Sequence, residues 1–186
     1  MNGQIARSQF LNPWRVAGWG FAILLLSLPA IAMRFTSEVV WTPIDFAVMG
    51  AMIGAVGIGL ELAIRASRNN LYRAGAAMAL LAGFLTTWSN LAVGIIGDGG
   101  NPANLLFFGV VALAIIGSVA ARSRPPAMAR IMMAAGIAQL AVPLVALIAW
   151  PPAFTPEFGL SVAINSAFAS MWLLSAWLFR RSHTAA

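Results

Sequence analysis

The sequence predicts an all-α, polytopic membrane helix bundle: six transmembrane helices arranged as three antiparallel hairpins, with both termini cytoplasmic. Three observations predict it. The 186-residue chain is 61% hydrophobic and 9% charged, with a mean hydropathy of +0.87, which leaves too little polar surface for a water-soluble fold of this length. Six apolar stretches, residues 16–33, 43–64, 74–96, 104–121, 127–149 and 158–179, each hold about 20 residues. That is the length at which a helix, its backbone groups all satisfied internally, crosses a ~30 Å hydrocarbon core. The basic residues are one-sided. If each stretch crosses once from a cytoplasmic N-terminus, Arg7, Arg15, Arg65, Arg68, Arg73, Arg122, Arg124, Arg130, Arg180 and Arg181 fall inside and only Arg34 outside. This bias sets the orientation of membrane helices. The short loops make consecutive helices antiparallel neighbours in a single membrane-embedded domain, residues 1–186.

The first span, with Arg7 and Arg15 before it and Ala30-Ile31-Ala32 near its end, carries the outline of a cleavable signal sequence. Its apolar stretch continues through Met33 and its basic region is long, which favours a retained helix.

The second span opens on Thr42-Pro43-Ile44-Asp45. A Thr side chain caps the first orphan N–H groups, proline at the first helical position loses no hydrogen bond, and Asp45 completes a capping box. Asp45 is therefore read as a capping carboxylate, with a place at the mouth of an ion or solute site as the alternative. Near the other end lies Glu61, on one face with Gly50, Gly54 and Gly57. Such a small-residue stripe admits a second helix closely, so Glu61 is expected to face protein. Arg65, one turn on, is its expected partner. A carboxylate at membrane depth is also a candidate proton or cation ligand.

The third span carries the stripe Gly83, Thr87, Asn90, Gly94 and Gly97. The loop that follows, Gly97-Asp98-Gly99-Gly100-Asn101-Pro102-Ala103-Asn104, reads as a tight turn and the capped start of span four. Its single Asn-Pro-Ala triplet resembles the paired triplets of aquaporins, but one copy in a short outer loop leaves no room for their two half-helices. Span five contains Gln139 and Pro143. Span six follows Thr155-Pro156 and contains Asn165. Asn90, Gln139 and Asn165 lie at comparable depths on three helices. Two outcomes are open for them: interhelical hydrogen bonding, or the lining of a wet, outward-facing polar cavity. Trp14, Trp177 and Tyr72 are expected at the inner interface, and Trp41 and Trp150 at the outer.

Composition narrows the chemistry. There is no cysteine, every basic residue is arginine, and the only histidine is His183 in the tail. Thiol chemistry, lysine Schiff bases and haem held between intramembrane histidines are thereby excluded. Ser27, Ser118, Ser161 and Ser170 have no intramembrane His or Lys to act as base. No catalytic, metal or cofactor set emerges. The basic residues are spread over four segments without an aromatic platform. They are read as contacts to lipid head groups, not to nucleic acid.

Through Trp88-Ser89-Asn90-Leu91-Ala92-Val93-Gly94-Ile95-Ile96-Gly97 and Asn101-Pro102-Ala103-Asn104, the chain resembles a group of small multispan bacterial inner-membrane proteins. The likeness covers residues 41–130. It implies a bacterial inner-membrane location and carries no activity or residue role. Two function classes remain. The favoured one is an accessory, binding or assembly protein whose partners are lipid, a second copy or another membrane protein. The other is a small permease or channel for an ion or polar solute, using Glu61, Asp45 and the three carboxamides.

Overall fold

The structure, a computed structural model, describes residues 13–97, 99–149 and 156–184. Among them are six helices: α1 (Pro13–Ala32), α2 (Pro43–Ala66), α3 (Asn70–Ala92), α4 (Leu105–Ala121), α5 (Pro125–Ala149) and α6 (Pro156–Thr184). A single 3-10 turn, Pro102–Asn104, leads into α4. Five helices are long and apolar enough to cross a membrane, α4 counted with that turn.

The helix not among those five is α3, for which the sequence predicts a full span over 74–96. It lies four residues earlier. Asn69 caps it, its Oδ1 accepting from Leu71 N at 2.8 Å and Tyr72 N at 3.3 Å. It ends at Ala92, before Gly94 (φ 76°) and Gly97 (φ 66°) enter the left-handed region that glycine tolerates. The stripe expected to run through Gly94 and Gly97 therefore stops at Asn90. With Thr86, Thr87, Ser89 and Asn90 crowded into its last two turns, α3 is the least suited of the long helices to face lipid alone.

The chain divides into two compact units at Ile58/Gly59. In the first, α1 meets the glycine stripe of α2. A Cβ on Gly57 would sit 2.8 Å from the Trp19 ring, and one on Gly50 would sit 3.5 Å from Leu26. The two contacts are seven residues apart on each helix and run in opposite order, as an antiparallel pair requires. The stripe thus does what small residues do between helices: it lets large side chains lie against backbone. The capping box forms as expected, with Thr42 N donating to Asp45 Oδ2 at 2.7 Å and Thr42 Oγ1 to the same oxygen at 2.8 Å.

The second unit is built around α3, α4, α5 and α6. Its largest contacts are α5–α6 and α3–α6, followed by α4–α5, with α3–α4 the smallest of the four. The four helices therefore close a ring in which α6 is packed between α3 and α5. Close approaches fix their directions. A Cβ on Gly117 would meet Ile131 at 2.7 Å, one on Gly136 would meet Leu173 at 2.8 Å, and one on Gly75 would meet Phe179 at 3.3 Å. Gly83 meets Trp172 further along α3–α6, and Gln139 meets Asn165 further along α5–α6, so both of these pairs run antiparallel. Of the expected hairpins, α5–α6 is a major contact, whereas α3–α4 is joined mainly at one end.

Corners are tied by side chains. Arg73 donates to the last carbonyls of α2's end, Nε to Ser67 O at 2.8 Å and Nη2 to Ile64 O at 3.2 Å. Asn69 Nδ2 reaches Ser182 O at 3.3 Å. Tyr72, expected at the lipid interface, is instead buried at 3% exposure, edge-on to Phe179 with ring centroids 5.0 Å apart. Trp177 is half exposed, as an interface residue would be. The Trp14 side chain, Asp98, Trp150 and Thr155 lie outside the described residues.

The exterior is apolar and the interior partly polar. Ile115, Ile116, Val119, Leu144 and Ile148 are exposed, while Thr86, Asn90, Asn104, Gln139, Asn165 and Ser175 are buried. Water as solvent would favour the reverse distribution. Lipid, which offers no hydrogen bonds, favours this one.

Candidate functional site

The three carboxamides divide between two places in the second unit. Gln139 and Asn165 come together. Gln139 Nε2 donates to Asn165 Oδ1 at 3.1 Å, and Asn165 Nδ2 donates to the backbone oxygen of Gln139 at 3.0 Å. Both residues are essentially fully buried. The pair locks α5 to α6 where Gly136 already brings the helices close, about one turn before Pro143 in α5.

Asn90 takes a different partner. Its Nδ2 donates to Asn104 O at 2.8 Å, tying the end of α3 to the turn before α4. Asn104 in turn organises the intervening loop. Its Oδ1 accepts from Ile95 N at 3.1 Å and Ile96 N at 3.0 Å, and its Nδ2 donates to Ile96 O at 3.2 Å. One side chain thus satisfies three backbone groups that have left the helix, which lets Ile95 and Ile96 be buried at 4% and 1% exposure beside Ala103 and Phe107. Asn101 caps the 3-10 turn as expected, its Oδ1 accepting from Ala103 N at 2.9 Å. The Asn-Pro-Ala-Asn segment is a folded-in plug of buried backbone held by asparagines.

Four buried side-chain atoms have no hydrogen-bond partner among the described protein groups: Thr86 Oγ1, Asn90 Oδ1, Gln139 Oε1 and Trp172 Nε1. Thr86 and Trp172 were not singled out from the sequence. The signal was present in the spacing: Thr86 stands one turn from Asn90 on α3, and Trp172 two turns from Asn165 on α6. Ser175, also missed, donates to Gly75 O at 2.7 Å across α3–α6.

The two carboxylates both have partners on α2 or at its cap. Glu61 pairs with Arg65, Oε2 to Nη2 at 3.4 Å, with the Glu61 side chain 23% exposed and Arg65 69%. This is the expected partner, in a geometry of modest strength. Asp45 is exposed and engaged in the capping box of α2. Among the described residues, no three His, Cys, Asp or Glu side chains gather into a group suited to a metal ion. Ser27 and Ser170 donate to backbone carbonyls of their own helices, Leu24 O and Ser166 O. No family model, curated protein or solved structure matches the chain.

Proposed function

We propose that this chain is a multi-pass protein of the bacterial inner membrane, with N- and C-termini cytoplasmic, that serves as an accessory or assembly partner. Its occupants are lipid and either a second copy or another membrane protein. The observation that carries the reading is the Gln139–Asn165 pair: two buried amide N–H donors are spent on holding α5 to α6. Burial of Asn90 under the Asn104 clamp supports it further. The one-sided arginines support the orientation. The resemblance of residues 41–130 to bacterial inner-membrane proteins supports the location.

The second reading is a small permease. It draws on Glu61, which keeps 23% exposure beside Arg65, and on the unpartnered oxygens of Asn90 and Gln139. One experiment separates the two. The chain has no cysteine, so Asn90→Cys, Gln139→Cys and Asn165→Cys can be made singly and treated in intact cells with a membrane-impermeant maleimide, with Asp98→Cys as control. Labelling of the control alone is the expected result. Strong labelling at the three buried positions would open a path to the outside and replace the accessory reading with transport.

A further inference from the structure

The four unpartnered atoms sit on α3, α5 and α6, helices that pack together in the second unit. On α3, Gly83, Thr86 and Asn90 share one face at spacings of three and four; on α6, Asn165, Ala169 and Trp172 do the same. The Trp172 ring lies against Gly83, its Cη2 3.5 Å from where a Cβ would sit. The two helices are antiparallel, so Thr86 comes level with Ala169 and Asn90 level with Asn165. Asn165 is already bonded to Gln139 of α5. At the middle level Gly136 and Ala169 bring α5 and α6 close: a Cβ on Gly136 would lie 2.8 Å from Leu173 and 3.4 Å from Ala169 O. Trp172 Nε1, Thr86 Oγ1, and the two carboxamide oxygens thus follow one another over seven residues of helix, about 10 Å.

Thr86 differs from the other helical hydroxyls. A helical Ser or Thr normally donates back to a carbonyl three or four residues earlier. Ser27, Ser166, Ser170 and Ser182 all do so at 2.7–2.8 Å. Thr86, at 0% exposure, does not. A buried hydroxyl gives up that bond only for another partner, because an unpartnered buried polar group is costly.

We propose that the α3–α5–α6 core encloses a short file of water molecules, running from the Trp172 indole N–H past the Thr86 hydroxyl to the side-chain oxygens of Asn90 and Gln139. The chemistry selects water. The column offers donors at one end and acceptors at the other, and it contains no ionisable group. A cation would meet the indole N–H, and an anion would meet three oxygens. Water both donates and accepts, and buried waters bridge two to four such groups. At ordinary hydrogen-bond spacing, about three molecules span the column. The buried Ile95 and Ile96 lie beyond Asn90 along the chain, and Phe179 lies two turns beyond Trp172. None of the four polar atoms is accessible from outside, so the file is closed. It exists whether the protein binds a partner or moves a solute.

The test uses the full-length protein in nanodiscs. Nitrogen-15 labelling of the indoles, with Trp172→Phe to assign the signal, allows a dipolar cross-peak between the Trp172 indole proton and water to be sought. Thr86→Val is measured alongside. Valine has the shape of threonine, so it deletes a partner of the water without opening space. The expected results are a water cross-peak that persists in Thr86→Val, where no hydroxyl can relay it, and a Tm lowered by about 2–4 °C. An indole proton silent to water overturns the proposal. So does a Thr86→Val Tm equal to or above the parent, since removing a truly unpartnered hydroxyl stabilises. Should Thr86→Val fail to fold, the parent spectrum decides alone.

Discussion

At the scale of single residues, the bundle is specified by asparagine and glutamine. Gln139 and Asn165 are each about the size of an aliphatic side chain, yet they hold α5 and α6 in one register because only that register closes both hydrogen bonds. Asn165→Leu leaves the Gln139 Nε2 donor buried without its acceptor. We expect a loss of about 1 kcal/mol, the usual range for an interhelical hydrogen bond in a membrane protein. The double variant Gln139→Met/Asn165→Leu removes both partners and keeps the volume, and it should be more stable than Asn165→Leu alone. Thermal unfolding in one detergent checks the order of the three proteins. The identities of the buried polar residues were legible in the sequence, because an amide at membrane depth stands out. Their pairing was not. Asn90 sits at the right depth to join Gln139 and Asn165, but its amide donates to Asn104 O because the chain turns back at Gly94. That turn depends on two positive φ angles which hydropathy does not report.

At the scale of helices, glycine decides how closely neighbours pack. On α4, Gly117 faces Ile131 of α5, where a Cβ would lie 2.7 Å from Cγ2, whereas Gly109 has nothing within 4 Å. Ile131 is β-branched and stiff at χ1, so it cannot swing away. Gly117→Ala should therefore destabilise by overpacking, about 1–3 kcal/mol. Gly109→Ala, on the same helix and exposed, should stabilise by up to about 1 kcal/mol through helix propensity. Opposite signs from one substitution type on one helix, read by thermal melts, test the α4–α5 interface directly. The helices themselves were readable from apolar length and from the Thr42-Pro43 and Asn101-Pro102 caps, and most boundaries fall within two residues of expectation. The exceptions are the start of α1, at Pro13 where residue 16 was expected, and two polar ends: α3, where Asn69 supplies a cap that precedes a polar first turn, and the end of α6, which extends to Thr184 beyond the last apolar residue. In both, hydrogen bonding carries the helix where hydrophobicity gives no signal.

At the scale of the whole molecule, the second unit is a ring in which the last helix in sequence fills the place between α3 and α5. Ser175 bonded to Gly75, Asn69 bonded to Ser182, and Tyr72 against Phe179 fasten α6 to the start of α3 across 100 to 113 residues. The sequence showed which stretches are helices; it did not show this closure, since short loops favour sequential neighbours and say nothing of first meeting last. A chain truncated after Ala149 should lose it. Limited proteolysis of membranes carrying that form should cut within residues 59–121, where the full chain resists. The ring also sets a schedule for synthesis. The α3 helix emerges before α6, with Thr86 and Asn90 on a flank that lipid cannot satisfy. Until α6 follows, α3 needs shelter other than its eventual neighbour, from the insertion machinery or a chaperone beside it. The polar residues that lock the finished bundle are the same ones that make its assembly wait for α6.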